Sequence, residues 1–119
     1  IRNVYAGSYK RVDGSVVEGP AISDLIAAKD AALDAEISGL LDDTVAKMNV
    51  MADRAVAGEA YDQQIAEGNT EGNAVVQAAI DGLIAQTRGI ERAVALLNLG
   101  DAVTIEDSDS LSNPDAVFQ

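Results

Sequence analysis

Apolar residues recur every three or four positions through two long stretches of the chain. In the first, Leu33, Ile37, Leu40, Leu41, Val45, Met48 and Met51 follow helical spacing, with Asp34, Asp42, Asp43, Lys47 and Arg54 largely on other sides. Such a stripe predicts an amphipathic helix of about seven turns, starting after Asp30 and running to about Val56. Asp30 is a good N-cap because its carboxylate can accept from the free N–H groups of the first turn, and Gly58 is placed to end the helix. In the second stretch, Val76, Ile80, Leu83, Thr87, Ile90, Val94 and Leu97 alternate spacings of four and three, and Val75, Ala79, Ile84 and Ala93 widen the stripe. This predicts a second long helix, capped by Asn69 or Thr70 and closed by Gly100 in the left-handed conformation.

Shorter elements flank these helices. Ile1, Val4, Tyr5 and Tyr9 share one helical face with nothing at Ile1 that resembles a cap, which predicts the last turns of a helix begun upstream. Residues 10–20 contain the turn signal Asp13-Gly14 and the breaker Gly19-Pro20, and predict a loop with room for a small hairpin. Ser23 is positioned to cap a short helix over residues 24–28, with Asp24 near the positive end of its dipole. Residues 59–68 form a polar connection, with Tyr61 and Ile65 and room for one helical turn. Residues 101–119 read as an acidic tail that can pack back through Phe118.

The fold class is therefore an all-α bundle of up-down long helices over residues 1–100, followed by the acidic tail. Two antiparallel helices cannot cover both apolar stripes, so further helices from a missing segment or a partner are expected to complete the packing. A start without Met, inside a helix, predicts a fragment or a processed product.

Composition narrows the chemistry. The 119 residues fit one domain, and aromatics make up only 3%, so the core must come from small aliphatic side chains. Twenty carboxylates against eight bases give a formal net charge of −12, the wrong sign for nucleic acid and unfavourable for anionic lipid. There is no His and no Cys, which removes imidazole and thiolate chemistry and leaves only all-oxygen metal sites. No apolar run is long enough to span a membrane, and residues 1–5 do not form a signal peptide.

The carboxylate clusters carry little. Glu106, Asp107 and Asp109 lack the Gly and the bidentate Glu of a calcium loop, and Asp42-Asp43 and Asp30 with Asp34 read as helix surface. No Ser lies in a G-x-S-x-G setting, and Gly7, Gly14 and Gly19 are turn residues rather than a phosphate cradle. Tyr5, Tyr9 and Tyr61 are candidates for a pocket, an interface or plain packing. No catalytic and no metal-ligating residue is assigned.

One resemblance supplies the functional expectation. Ile1, Asn3, Val4, Tyr5, Gly7 and Tyr9, followed by Ser23, Asp24 and Leu25, resemble the phrases I-x-N-V-Y-x-G-x-Y and S-D-L of the C-terminal half of imelysin-like proteins of the iron-regulated type. The likeness continues through residues 60–63, 86–88 and 109–115 and so covers essentially the whole chain. It implies half of a two-bundle fold in a bacterial envelope protein, periplasmic or associated with the outer membrane and often lipid-anchored. It also implies the N-terminal half of the same protein as partner, and a binding role in the uptake of iron or an iron compound, with iron possible in the complete protein.

Members of the family have also been classed as metallopeptidases, but the motif held responsible, G-x-H-x-x-E, belongs to the first half and has no counterpart in a chain without His. The alternatives are thus a metallopeptidase whose metal site lies in that other half, or a structural, partner-binding module. Carried over by position, Tyr5, Gly7, Tyr9, Ser23 and Asp24 are the candidates for lining a cleft between the halves. Helix capping by Ser23 and Asp24 and interface packing by the tyrosines are their purely structural roles.

Overall fold

The computed structural model describes residues 1–99. Its elements are α1 (Arg2–Ala6), β1 (Ser8–Lys10), β2 (Val16–Glu18), α2 (Ile22–Ala27), α3 (Ala31–Val56), α4 (Tyr61–Gln64) and α5 (Thr70–Leu96). The chain is an all-α bundle dominated by α3 and α5, with one two-stranded hairpin beside it. Among the described residues no helix is long and apolar enough to cross a membrane.

Local chemistry fixes most of the boundaries. The Asp30 carboxylate accepts from the Ala32 and Leu33 amides at 3.0 Å and caps α3, and Asn69 accepts from Gly72 N–H at 2.9 Å and caps α5. At the far end of α3, Gly58 takes a φ of 108°, so that its N–H donates to Ala55 and the Glu59 N–H donates to Arg54. The end of α5 repeats the motif with Asn98 at φ 58°, its N–H donating to Ala95 and that of Leu99 to Val94. Asn tolerates the left-handed region better than other side-chain-bearing residues. The helix therefore stops at Leu96, ahead of the expected cap at Gly100. Gly100 and the acidic tail, with Phe118, lie outside the described residues.

The connection between α3 and α5 is held by polar contacts. Glu59 accepts from Arg54 and from Asn69 Nδ2, both at 2.6 Å, and these bonds hold its carboxyl below the usual glutamate range. Gln64 is fully buried, and its Nε2 donates to the carbonyls of Met51 and Glu59 at 3.0 Å. Its Oε1 is buried with no partner among the described residues.

Two expectations are corrected. The helical face proposed for Ile1, Val4, Tyr5 and Tyr9 breaks at Gly7, which adopts φ 60° and sends Ser8 and Tyr9 into β1. A Cβ at Gly7 would lie 2.5 Å from the Gly19 carbonyl oxygen, so the turn depends on glycine both for its φ and for the close approach of the strand that returns. β1 pairs antiparallel with β2 in the register Ser8 with Glu18, Tyr9 with Val17 and Lys10 with Val16.

The second correction concerns α5. Its buried residues are Gly72, Ala79, Gly82, Gln86, Gly89 and Ala93, whereas Ile80, Leu83 and Ile84 of the expected stripe are 39%, 37% and 41% exposed. The reason is the closeness of α3. A Cβ at Gly82 would meet Thr44 Oγ1 at 3.1 Å, and one at Gly89 would meet Leu40 Cδ1 at 3.1 Å and Ile37 Cγ1 at 3.2 Å. A large side chain at either glycine would collide with α3, so the large aliphatics of α5 lie on the flanks. These contacts pair rising numbers in α3 with falling numbers in α5, which makes the two helices antiparallel. Ile37, Leu41, Ala93, Tyr5 and Ile26 form the core cluster, with Leu33, Leu96 and Leu97 packed on it.

Glycine substitutions separate this close contact from ordinary helix propensity. Gly89→Leu should destabilise the fold by about 1–3 kcal/mol through overpacking. Gly39→Ala, on α3 with nothing within 4 Å of the added methyl, should stabilise it by about 0.5–1 kcal/mol. Urea unfolding of the two variants checks both signs, and a Gly89→Leu protein as stable as the parent would mean that α3 and α5 do not touch there.

Candidate functional site

The five residues carried over from the family phrases divide among three places. Tyr5, at the end of the first turn of α1, is buried, and its hydroxyl donates to Asp34 Oδ1 at 2.8 Å. Ser23 lies inside the first turn of α2, and its hydroxyl donates to the same oxygen at 2.7 Å. Ser23 is therefore not the cap it was expected to be. Ala21 occupies that position, and Asp24, which is exposed, accepts from the Ala21 amide at 3.3 Å.

Gly7 and Tyr9 sit elsewhere, in a shallow groove between α1 and the hairpin that also contains Val4, Val17 and Gly19. Tyr61 is exposed on α4.

The residue missed from sequence is Asp34. Read as half of a surface pair with Asp30, it is in fact half-buried, while Asp30 spends its carboxylate on the cap. Its phase carried the signal: 34, 37, 41 and 44 run at spacings of three, four and three through Ile37, Leu41 and Thr44, which are buried. A carboxylate in a core-facing register needs donors, and the two hydroxyls supply them. One oxygen of Asp34 thereby ties α1 and α2 to the start of α3, where a negative charge also suits the helix dipole.

Chemically, the arrangement is a strut. The Ser23 hydroxyl is engaged with a carboxylate and has no imidazole or amine beside it to raise its nucleophilicity. Burial above all, then the hydrogen bond and the charge of Asp34, push the Tyr5 hydroxyl far above the ordinary tyrosine range.

Other carboxylates are similarly committed. Asp42 pairs with Arg2 and Asp43 with Lys47, so the adjacent acids point to different partners, and Glu36 is held below the usual range by Arg92. Among the described residues no group of three or more acidic side chains converges in a way that could hold a metal ion.

The Tyr5 contact sets a pH dependence. The folded state holds the phenolic proton more tightly than the unfolded chain, so the stability it contributes is full below about pH 10 and is lost as pH rises from there toward the folded value. Tyr5→Phe should cost about 1–2 kcal/mol near neutral pH and reduce the alkaline loss, and Asp34→Ala, which strands two hydroxyls, should cost about 2–3 kcal/mol. Urea midpoints measured at neutral and alkaline pH decide this; an unchanged alkaline slope in Tyr5→Phe would contradict the strut.

No curated protein matches the sequence. The family profile described as Imelysin matches residues 1–90, a span that includes α1, the hairpin, the Asp34 strut and nearly all of α5. The chain belongs to the imelysin family.

Proposed function

We propose that this chain is the non-catalytic half of an imelysin-like, iron-regulated protein of the bacterial envelope, and that it serves the binding and uptake of iron or an iron compound together with an N-terminal half. Family membership carries this reading. It is supported by an apolar face that is left uncovered among the described residues. Val45, Met48 and Leu83 project from α3 and α5 beside Ile1 and line a groove of about 420 Å³ that also contains the buried Thr44 and Gln86. Large aliphatic side chains left this exposed on neighbouring helices mark a surface that packs against another element. In this reading the other bundle supplies the metal ligands, and this half supplies one wall and the scaffold behind it.

The test uses the full-length protein, the isolated chain, and a full-length variant carrying Met48→Asp and Leu83→Asp. Each is dialysed against ferrous ammonium sulfate under nitrogen, and retained iron is counted by mass spectrometry. Full-length protein should retain iron, the isolated chain none, and the variant much less than its parent. A full-length protein that retains no iron, or an isolated chain that retains as much, overturns the reading, and zinc-dependent casein cleavage by the full-length protein would replace it with the peptidase alternative.

A further inference from the structure

One polar side chain of the seam between α3 and α5 has no use in the fold itself. Gln86 is 4% exposed and lies on the buried face of α5, one turn from Gly82 on one side and from Gly89 on the other. Among the described residues its carboxamide makes no hydrogen bond. Thr44 of α3, buried in the same groove, meets its own need by donating to the Leu40 carbonyl at 2.9 Å. A carboxamide has two donors and a carbonyl acceptor, and leaving them unmatched away from water costs stability. Met or Leu would fill a similar volume without that cost.

The groove decides what kind of group can answer Gln86. Gln86 lines the groove of about 420 Å³ between α3 and α5, whose walls include Val45, Met48 and Leu83. In a chain of net charge −12, no described residue of this lining is a carboxylate, and its one base, Arg2, is engaged with Asp42. A cation or a basic peptide therefore finds no counter-charge in these walls, and two copies of the chain meeting face to face would each bring a charge of −12 to the contact. What matches is an uncharged surface, apolar along its length, with a hydrogen-bonding group at the level of Gln86. Two antiparallel helices with aliphatic side chains on either side of a groove take a third helix in this way.

We propose that the groove is filled by an amphipathic helix of the second bundle whose apolar stripe carries one Asn, Gln, Ser or Thr, and that this side chain hydrogen-bonds the Gln86 carboxamide. The proposal rests on the reading, given above, that another bundle covers this face, and it adds the residue that selects the register. A slip of the helix by one turn, about 5.4 Å, would set an aliphatic side chain against the carboxamide and leave both polar groups unmatched. Single buried polar residues fix the alignment of apolar helix stripes in this way, at some cost in stability. Gln86 is thus the specificity-determining residue of the interface, and Val45, Met48 and Leu83 supply its adhesion.

Met48 reports whether the groove is covered, through the rate at which hydrogen peroxide oxidises it to the sulfoxide, read by peptide mass spectrometry. In the full-length protein Met48 should oxidise about tenfold more slowly than in the isolated chain. Gln86→Leu in the full-length protein should speed that oxidation about fivefold, the effect of losing one buried hydrogen bond from the closed state. In the isolated chain, the urea midpoint of Gln86→Leu should be no lower than the parent's. Protection of Met48 that Gln86→Leu leaves unchanged would overturn this proposal while the covering bundle stands. Equal oxidation in the full-length protein and the isolated chain would remove the covering bundle and this proposal with it. A lowered midpoint in the isolated chain would assign Gln86 to the bundle's own packing, and an isolated chain that sediments as a dimer with Met48 protected would put a second copy in the groove; either result overturns the proposal.

Discussion

The close approach of α3 and α5 governs how every other side chain is placed. Gly82 and Gly89 put the backbone of α5 against Thr44, Leu40 and Ile37, and Ala79 and Ala93 extend that narrow seam. Side chains of α3 pack directly on the backbone of α5 along this seam, in place of aliphatics interdigitating from both helices. The larger residues of α5 then have only the flanks, where Ile80, Leu83 and Ile84 remain partly exposed. Ion pairs across the seam, such as Arg92 with Glu36, are exposed on both sides and orient the helices more than they stabilise them. The buried large side chains gather instead at one end, around Tyr5, Ile26, Ile37 and Leu41. That is where α1 and α2 pack on α3, and where Asp34 can hold both by one oxygen.

Helix ends were legible in the sequence because they depend on single residues. Asp30, Asn69 and Gly58 each act through their own side chain or φ, without reference to anything distant. Ile37 and Leu41 were legible as part of the apolar stripe of a helix of mixed polarity, although Val45 and Met48 of the same stripe stay partly exposed. The face of α5 was not, because periodicity weighted by hydrophobic size selects the bulkiest stripe, while burial followed the nearest backbone. The spacing of Ala79, Gly82, Gln86, Gly89 and Ala93, alternating three and four, held that information in its smallest residues. Tyr9 was assigned to a helix because its spacing from Tyr5 is helical; Gly7, between them, ends the helix by a φ that only the fold reveals.

The site residues were legible as a set and not as an arrangement. Tyr5 and Ser23 are far apart in sequence and meet only through Asp34, so no local pattern joins them. Their hydroxyls satisfy a half-buried carboxylate, and folding alone accounts for that pair of residue types. Asp24 is likewise accounted for by the start of α2. Asp24, Gly7 and Tyr9 remain at the surface, and Gly7 is already required by the turn it makes. Of the five, Tyr9 is the residue whose identity the fold explains least, and it is half-exposed beside Lys10 and Arg11.

Charge sharpens the proposed role by favouring one form of iron over another. A chain of net charge −12 raises the local concentration of cations and lowers that of anions, and the effect reaches about one Debye length, roughly 10 Å at moderate salt. An aquated metal ion is therefore drawn toward this chain, and an anionic chelate of the same metal is repelled by it. Steering and ligation are separate tasks, however. Asp42, Asp43, Glu36 and Glu59 each answer to a base and Asp34 answers to two hydroxyls, so the field is strong while convergent donors are lacking among the described residues. A strong field without convergent donors matches the proposed role, in which this bundle attracts the cation and a second bundle closes the coordination around it.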